Sequence, residues 1–381
     1  MDKSLSASDR AVVPQRAADR SLALDILRAV ACCLVIGSHL EIQTSPSSLL
    51  AAWNRGGWIG VDLFFVLSGF LVSGILFREY QLRGTIDLRR FLVRRALRIY
   101  PAFYLFLLLT SVTIAIFAKN YTMIGPGRLL PECFFLQNYI PGTWGHTWSL
   151  AVEEHFYIGI AILIFALIGL RCDLRRWWIP MIFVCTAAAA LAFRISRESD
   201  PHYQTRGQLL FPTHLRMDSL GFGVLLSYLW NFHGQRLRRI CHPLRWLLLA
   251  SGCLLLLPAF IWPQSTPAVL TVGLTGFYLG AGAILLSLSL GRIPVNFLTS
   301  GLGLVGTRSY SIYLWHAPVV TWVMPKAGPY LNSVHAMVVV IVALAICVAI
   351  GFLMAWIVEV PVLRFRERFF PSREHDLTAE S

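Results

Sequence analysis

Arg28 and His39 stand eleven positions apart in an apolar run that begins near residue 22. Eleven helical residues advance about 16 Å and return to within about 20° of the starting direction, so both side chains would line one stripe. An ionisable group at membrane depth costs about 2.5 to 3.5 kcal/mol and needs a partner, a watery cavity or a function. Other apolar runs carry more such groups. Asp62 lies in GVDLFFVLSGF (60–70), Glu153, Glu154 and His155 lie in TWSLAVEEHFY (147–157), Arg216 and Asp218 open RMDSLGFG, and His316 lies in SYSIYLWHAP. Histidine beside a carboxylate can take a proton from a hydroxyl. Arginine forks hold phosphate or pyrophosphate through paired hydrogen bonds, which suits Arg28, Arg94, Arg95 and Arg98 to a nucleotide-bearing donor.

Each of these groups also has a structural reading. Arg28 and His39 would serve as a buried pair, or Arg28 as a snorkelling side chain. Glu153 would catalyse, orient His39 or His316, or pair with Arg216. Asp62 suits a helix N-terminus, and His316 suits a pore or a hydrogen-bonded core. Arg94, Arg95 and Arg98 also fit lipid headgroups or topology. Trp144, Trp148 and Trp315 read first as interfacial belt residues.

The elements that must position these groups are membrane helices. The 381 residues are 56% hydrophobic and only 14% charged, and their mean hydropathy is +0.63, far from a soluble balance. Apolar runs long enough to cross a bilayer core of about 30 Å fall near 22–40, 58–77, 99–118, 148–170, 177–193, 216–231, 246–263, 269–290, 303–324 and 336–358. The expected fold is therefore an all-α polytopic membrane bundle of about ten transmembrane helices. Residues 1–21 form an N-terminal tail, 22–360 the membrane domain and 361–381 a C-terminal tail. No cleavage site follows the first run, which reads as an uncleaved span.

The formal net charge of +13 is explained by where the cations sit. With ten spans, 23 Lys and Arg residues fall in the termini and alternate loops on their side. Only 7 fall on the other, namely Arg55, Lys119, Arg128, Arg194, Arg197, Arg206 and Lys326. This asymmetry places both termini in the cytoplasm, and the basic charge needs no nucleic-acid partner. The expected location is a bacterial-type inner membrane, with membrane lipid as a partner. LLPECFFLQNYI (129–140) is too short to span and reads as re-entrant or interfacial. Cys32, Cys33, Cys185, Cys253 and Cys347 read as small buried hydrophobes. Cys172 and Cys241 fall in cytoplasmic loops, and Cys133 alone lies outside, without a disulfide partner. No Cys/His cluster suggests a metal.

Seven motifs in order carry a resemblance. They are Arg28 with His39, GVDLFFVLSGF, RRALRIYP with its Arg-x-x-Arg at Arg95 and Arg98, WSLAVEEHFY, RMDSLGFG, SYSIYLWH, and Glu359 with Pro361. Nearly end to end, the chain resembles the acyltransferase-3 family of membrane O-acyltransferases, which acetylate bacterial surface glycans. The resemblance implies acetyl-CoA, or another acyl-CoA, as a donor substrate with no permanently bound cofactor. It implies His39 as needed for transfer, with Arg28, Arg95 and Arg98 on the donor side. Glu153 and His316 are then further catalytic candidates, and Asp62, Arg216 and Asp218 candidates for binding a glycan or glycolipid acceptor. His155 stands where the family commonly has Gln, and no esterase-like domain follows residue 360, so transfer is expected to finish at the bundle.

A proton-coupled transporter or flippase of a sugar-containing substrate is the rival reading. The internal repeat such proteins usually carry is not evident in the sequence.

Overall fold

The computed structural model describes residues 7–40, 48–118, 122–198, 206–325 and 336–371, of which residues 7–21, 118 and 206–207 are described as backbone only. Lys119 and Lys326, counted above as external, lie outside the described residues. Helices account for every regular element among them. In chain order they are α1 (Ala7–His39), α2 (Leu49–Gly56), α3 (Gly60–Arg83), α4 (Leu88–Thr113), α5 (Pro126–Cys133), α6 (Trp148–Gly169), α7 (Trp178–Glu198) and α8 (Arg206–Leu210). Then follow α9 (Met217–Phe232), α10 (Gly234–Cys241), α11 (Arg245–Ile261), α12 (Leu274–Leu290), α13 (Phe297–Thr307), α14 (Ser309–Pro318), α15 (Ala336–Met354) and α16 (Val360–Phe369).

Among the described residues, seven stretches are long and apolar enough to cross a membrane, those at Leu22–His39, Leu49–Arg83, Leu88–Phe117, Gly145–Gly169, Trp178–Glu198, Val269–Leu290 and Ala336–Phe369. An eighth counts if α10 and α11, bent by 82°, form one span. The runs expected at 216–231 and 303–324 are helical too, but α9 has 16 residues and the second is divided between α13 and α14 at Arg308. At about 1.5 Å per residue, α9 reaches only about 24 Å.

The starts of several helices are written locally. Ser48 and Asp87 accept from the amides of Ala51 and Arg90, and Asn296 forms a capping box with Thr299, each satisfying orphan donors of a first turn. The first helix begins at Ala7, well inside the expected tail.

The chain divides into two compact units. The first comprises residues 1–74, 179–209 and 218–309, and the second 75–178, 210–217 and 310–381. In the first unit α1 packs on α2, α12 and α13, and α11 packs on α12. Close approach is set by glycine: a Cβ on Gly306 would lie 1.8 Å from the Asp25 carbonyl, and one on Gly69 would lie 2.0 Å from that of Leu220. Only a residue without a side chain lets these backbones meet.

In the second unit α4 packs on α6 and α16. The segment 129–140 does not continue as one helix. It leaves α5 through Phe135, at φ 55°, whose ring stacks on Tyr100 and Phe103 with centroids 5.3 and 4.7 Å away. Trp144 and Trp148 are buried rather than belt-like, against Phe106 and Phe211 respectively. Cys185 and Cys253, expected inside, are exposed on the protein surface, whereas Cys32 and Cys347 are buried.

Candidate functional site

His39 is the last residue of α1 and is exposed. Its Nδ1 lies 2.8 Å from the Val35 carbonyl, which can only accept. In the neutral ring the proton is therefore assigned to Nδ1 and the basic lone pair to Nε2. The helix end carrying the imidazole is itself held. Asn54 Nδ2 donates to the carbonyls of Gly37, Ser38 and Leu40 at 3.3, 3.3 and 2.8 Å, satisfying acceptors that a helix C-terminus leaves open. Trp53 packs so close to Gly37 that a Cβ there would overlap its indole. Arg28, three turns earlier, is partly buried and pairs with Asp25 on the same helix.

The acidic candidates of the first unit are fully buried. Asp218 Oδ2 takes Arg194 Nη2 at 2.7 Å with neither side chain exposed, and its Oδ1 accepts from the Ser219 amide at 3.0 Å. Ser219 Oγ donates to Asp62 Oδ1 at 3.3 Å. Asp62 sits in the first turn of α3, where a carboxylate meets the positive end of the helix. Arg194, expected in an external loop, is instead an interior residue of α7.

The second unit holds the remaining candidates. The Arg95 guanidinium lies over the Tyr157 ring at 5.4 Å and the Phe91 ring at 5.8 Å, close enough for cation–π attraction. Tyr157 in turn donates to Glu153 Oε2 at 3.1 Å, so Arg95, Tyr157 and Glu153 form one connected group. Beside Glu153, Glu154 is buried and accepts from Tyr100 at 3.2 Å. Arg98 is half-buried one turn from Arg95. Arg216 is fully buried at the start of α9. His316 is fully buried, with Nδ1 on the Tyr313 carbonyl, and its ring meets His146 edge to face with centroids 5.1 Å apart. His155 Nδ1 lies 2.7 Å from Thr213 Oγ1. Glu359 of the closing motif accepts from Ser311 at 2.8 Å.

Sequence reasoning singled out neither Asn54, Asp25, His146 nor Glu132. Glu132 lies outside the membrane-crossing stretches and is fully buried. Its Oε1 accepts from the Trp144 amide at 2.8 Å and from Thr147 Oγ1 at 3.3 Å. Burial outweighs these bonds and pushes its carboxyl up to about 7. The folded chain thus keeps a proton that the unfolded chain releases near pH 4.5. The resulting stability is present below that pH and is lost as pH rises through 7. Glu132→Gln should therefore gain on the wild type between pH 5 and 8 in thermal unfolding in detergent, by up to about 3 kcal/mol. Parallel stability curves for the two proteins across that range would show that the carboxyl does not titrate there.

The chain is 29% identical over 326 residues to YrhL of Bacillus subtilis (strain 168), provisionally named a peptidoglycan O-acetyltransferase, covering 79% of this chain and 49% of that one. It is 28% identical over 328 residues to the peptidoglycan O-acetyltransferase OatA of Listeria monocytogenes serovar 1/2a (strain ATCC BAA-679 / EGD-e), covering 79% and 50%. A provisionally named O-acetyltransferase of Staphylococcus aureus (strain COL) is likewise 28% identical, over 323 residues, covering 79% and 50%. The chain thus spans about half the length of the curated relatives it matches. No solved structure matches it. The acyltransferase-3 model, described as an acyltransferase domain, matches residues 21–356. That stretch contains Arg28 and His39 on α1, Arg95 and Arg98 on α4 and Glu153 on α6, and the chain belongs to the acyltransferase-3 family.

Proposed function

We propose that this chain is a membrane O-acyltransferase that moves an acyl group, acetyl in the first instance, from cytoplasmic acyl-CoA to a hydroxyl of a surface or exported glycan. The names of its relatives favour peptidoglycan as the acceptor class. The observation that carries the reading is His39, an exposed imidazole whose Nδ1 is anchored on a carbonyl so that Nε2 carries the lone pair. The proposed bundle crosses a bacterial inner membrane ten times with both termini inside. The donor's phosphates then meet arginines at the cytoplasmic end, and the acceptor arrives from outside.

In the transfer step His39 Nε2 takes the proton of the acceptor hydroxyl as its oxygen attacks the thioester carbonyl. The C–O bond forms, the C–S bond breaks, and the thiolate of CoA leaves and takes up the proton. Glu153 and His316 are the candidates for orienting or relaying that proton, and Asp62, Arg216 and Asp218 for contacting the acceptor. Ground-state holding of the donor by Arg28, Arg95 and Arg98 uses phosphate chemistry and leaves the thioester free to react.

Membranes containing the full chain, supplied on the cytoplasmic face with acetyl-CoA labelled in the acetyl group, are expected to deliver label to glycan as an alkali-labile ester. Uptake of a glycan precursor driven by a proton gradient, without ester formation from any short-chain acyl-CoA, would replace this reading with the transporter.

A further inference from the structure

The first three turns of α4 carry Arg89, Arg90, Arg94, Arg95 and Arg98, and α16, which packs against it, carries Arg364, Arg366 and Arg368. These cations divide by what they touch. Arg90 and Arg94 donate to the carbonyls of Pro371 and Phe370, just beyond the C-terminus of α16. Arg94 also reaches Glu367 at 3.0 Å. Their guanidinia serve to dock α16, in the way cations commonly close helix C-termini.

Arg95, Arg98 and Arg366 are engaged differently. Arg95 rests on aromatic faces. Arg366, only 15% exposed, holds Glu367 at 2.6 Å, the same carboxylate that Arg94 has already taken. The charges of Arg366 and Arg98 act on one another, and Arg95 feels both. Among the described residues no carboxylate is in ion-pair contact with Arg95 or Arg98. Three guanidinia thus share one neighbourhood where α16 packs on α4, and the carboxylate touching the group is divided between two arginines. Like charges held together away from bulk water repel, and a dianion accepting from several of them would turn that repulsion into attraction.

We infer that Arg366, presented by α16, completes with Arg95 and Arg98 a site for the diphosphate of a nucleotide-linked acyl donor. The inference rests on the donor reading proposed above and adds to it a residue from the far end of the chain. Glu367, which is 44% exposed, orients the Arg366 fork from outside the cluster. A phospholipid headgroup offers related phosphate chemistry, so the test must separate the two sources.

The full chain is purified in detergent and reconstituted in vesicles of phosphatidylcholine alone or with added phosphatidylglycerol. Arg366→Gln should raise KM for acetyl-CoA roughly tenfold or more with kcat little changed, the signature of lost ground-state binding. An acetyl-pantetheine donor without the diphosphate should be used equally by both proteins. Calorimetric binding of CoA, which requires no turnover, should weaken in parallel, and inorganic pyrophosphate should compete with CoA less well on the variant. Arg366→Lys, which keeps the charge and loses the fork, should fall between the two, and it serves as the variant if Arg366→Gln does not fold.

Equal CoA affinity in wild type and both variants would overturn the inference, as would a KM effect that appears only when phosphatidylglycerol is present. Failure of the wild type to bind CoA or use any acyl-CoA would instead count against the function proposed above.

Discussion

Replacing His39 by alanine should lower acetyl transfer to glycan by about a hundred- to ten-thousand-fold, the usual range for loss of a positioned general base. The protein should remain in the membrane at its normal level. His39 ends α1 and is exposed, so its removal opens no cavity. The turn is fixed independently by Asn54 on the carbonyls of Gly37, Ser38 and Leu40. The discriminating variant is His39→Asn. Its amide can still donate to the Val35 carbonyl as Nδ1 does, yet it offers no basic lone pair, so it should be as inactive as alanine. Donor affinity measured by calorimetry with CoA should be unchanged in both, which separates loss of chemistry from loss of binding. Activity of His39→Asn within tenfold of the wild type would remove the imidazole from proton transfer and leave it an anchoring role.

That the imidazole is legible in the sequence at all follows from the cost of burying charge. Apolar runs tolerate few ionisable residues, so Arg28, His39, Asp62, Glu153 and His316 stand out against them, and the seven motifs that contain them carry the resemblance to the family. Hydropathy likewise marks ten apolar runs, and among the described residues seven stretches of helix are long and apolar enough to cross a membrane. It counts apolar residues along the chain and is blind to direction. The break at Arg308 between α13 and α14 therefore leaves no trace in it, whereas α10, bent by 82° from α11, falls in the basic loop expected between the runs 216–231 and 246–263.

Long-range partners are equally invisible. Trp144 and Trp148 have the composition of belt residues, but Phe106 and Phe211 bury them. Glu132 sits in a segment that reads as merely apolar, and its burial depends on the amide of Trp144 and the hydroxyl of Thr147, which arrive from beyond the next turn. Asn54 looks like an ordinary loop amide until the end of α1 is placed beneath it. Arg194 reads as a loop cation because it follows an alanine-rich run. What makes it an interior residue is Asp218, twenty-four positions further on.

That last pair carries the second large effect. Arg194→Leu or Asp218→Leu alone should destabilise the protein by about 3 to 5 kcal/mol, because each takes the ion-pair partner from a charge that stays buried. Arg194 Nη2 meets both Asp218 at 2.7 Å and Thr275 Oγ1 at 3.0 Å, and neither charged side chain is exposed, so solvent cannot take over the lost partner. Replacing both together removes the charges and the cost of desolvating them, so the double variant should return to within about 1 to 2 kcal/mol of the wild type. Thermal unfolding of the four proteins in one detergent measures the coupling directly. The same double variant decides what Asp218 is for. As a structural partner of Arg194 it is dispensable once the arginine is gone, and the folded double variant should transfer acetyl groups at close to the normal rate. As an acceptor-binding group it is needed whatever its neighbour, and the double variant should be stable yet raise KM for the glycan. Single variants as stable as the wild type would show instead that water reaches the pair and that the ion pair holds little of the first unit together.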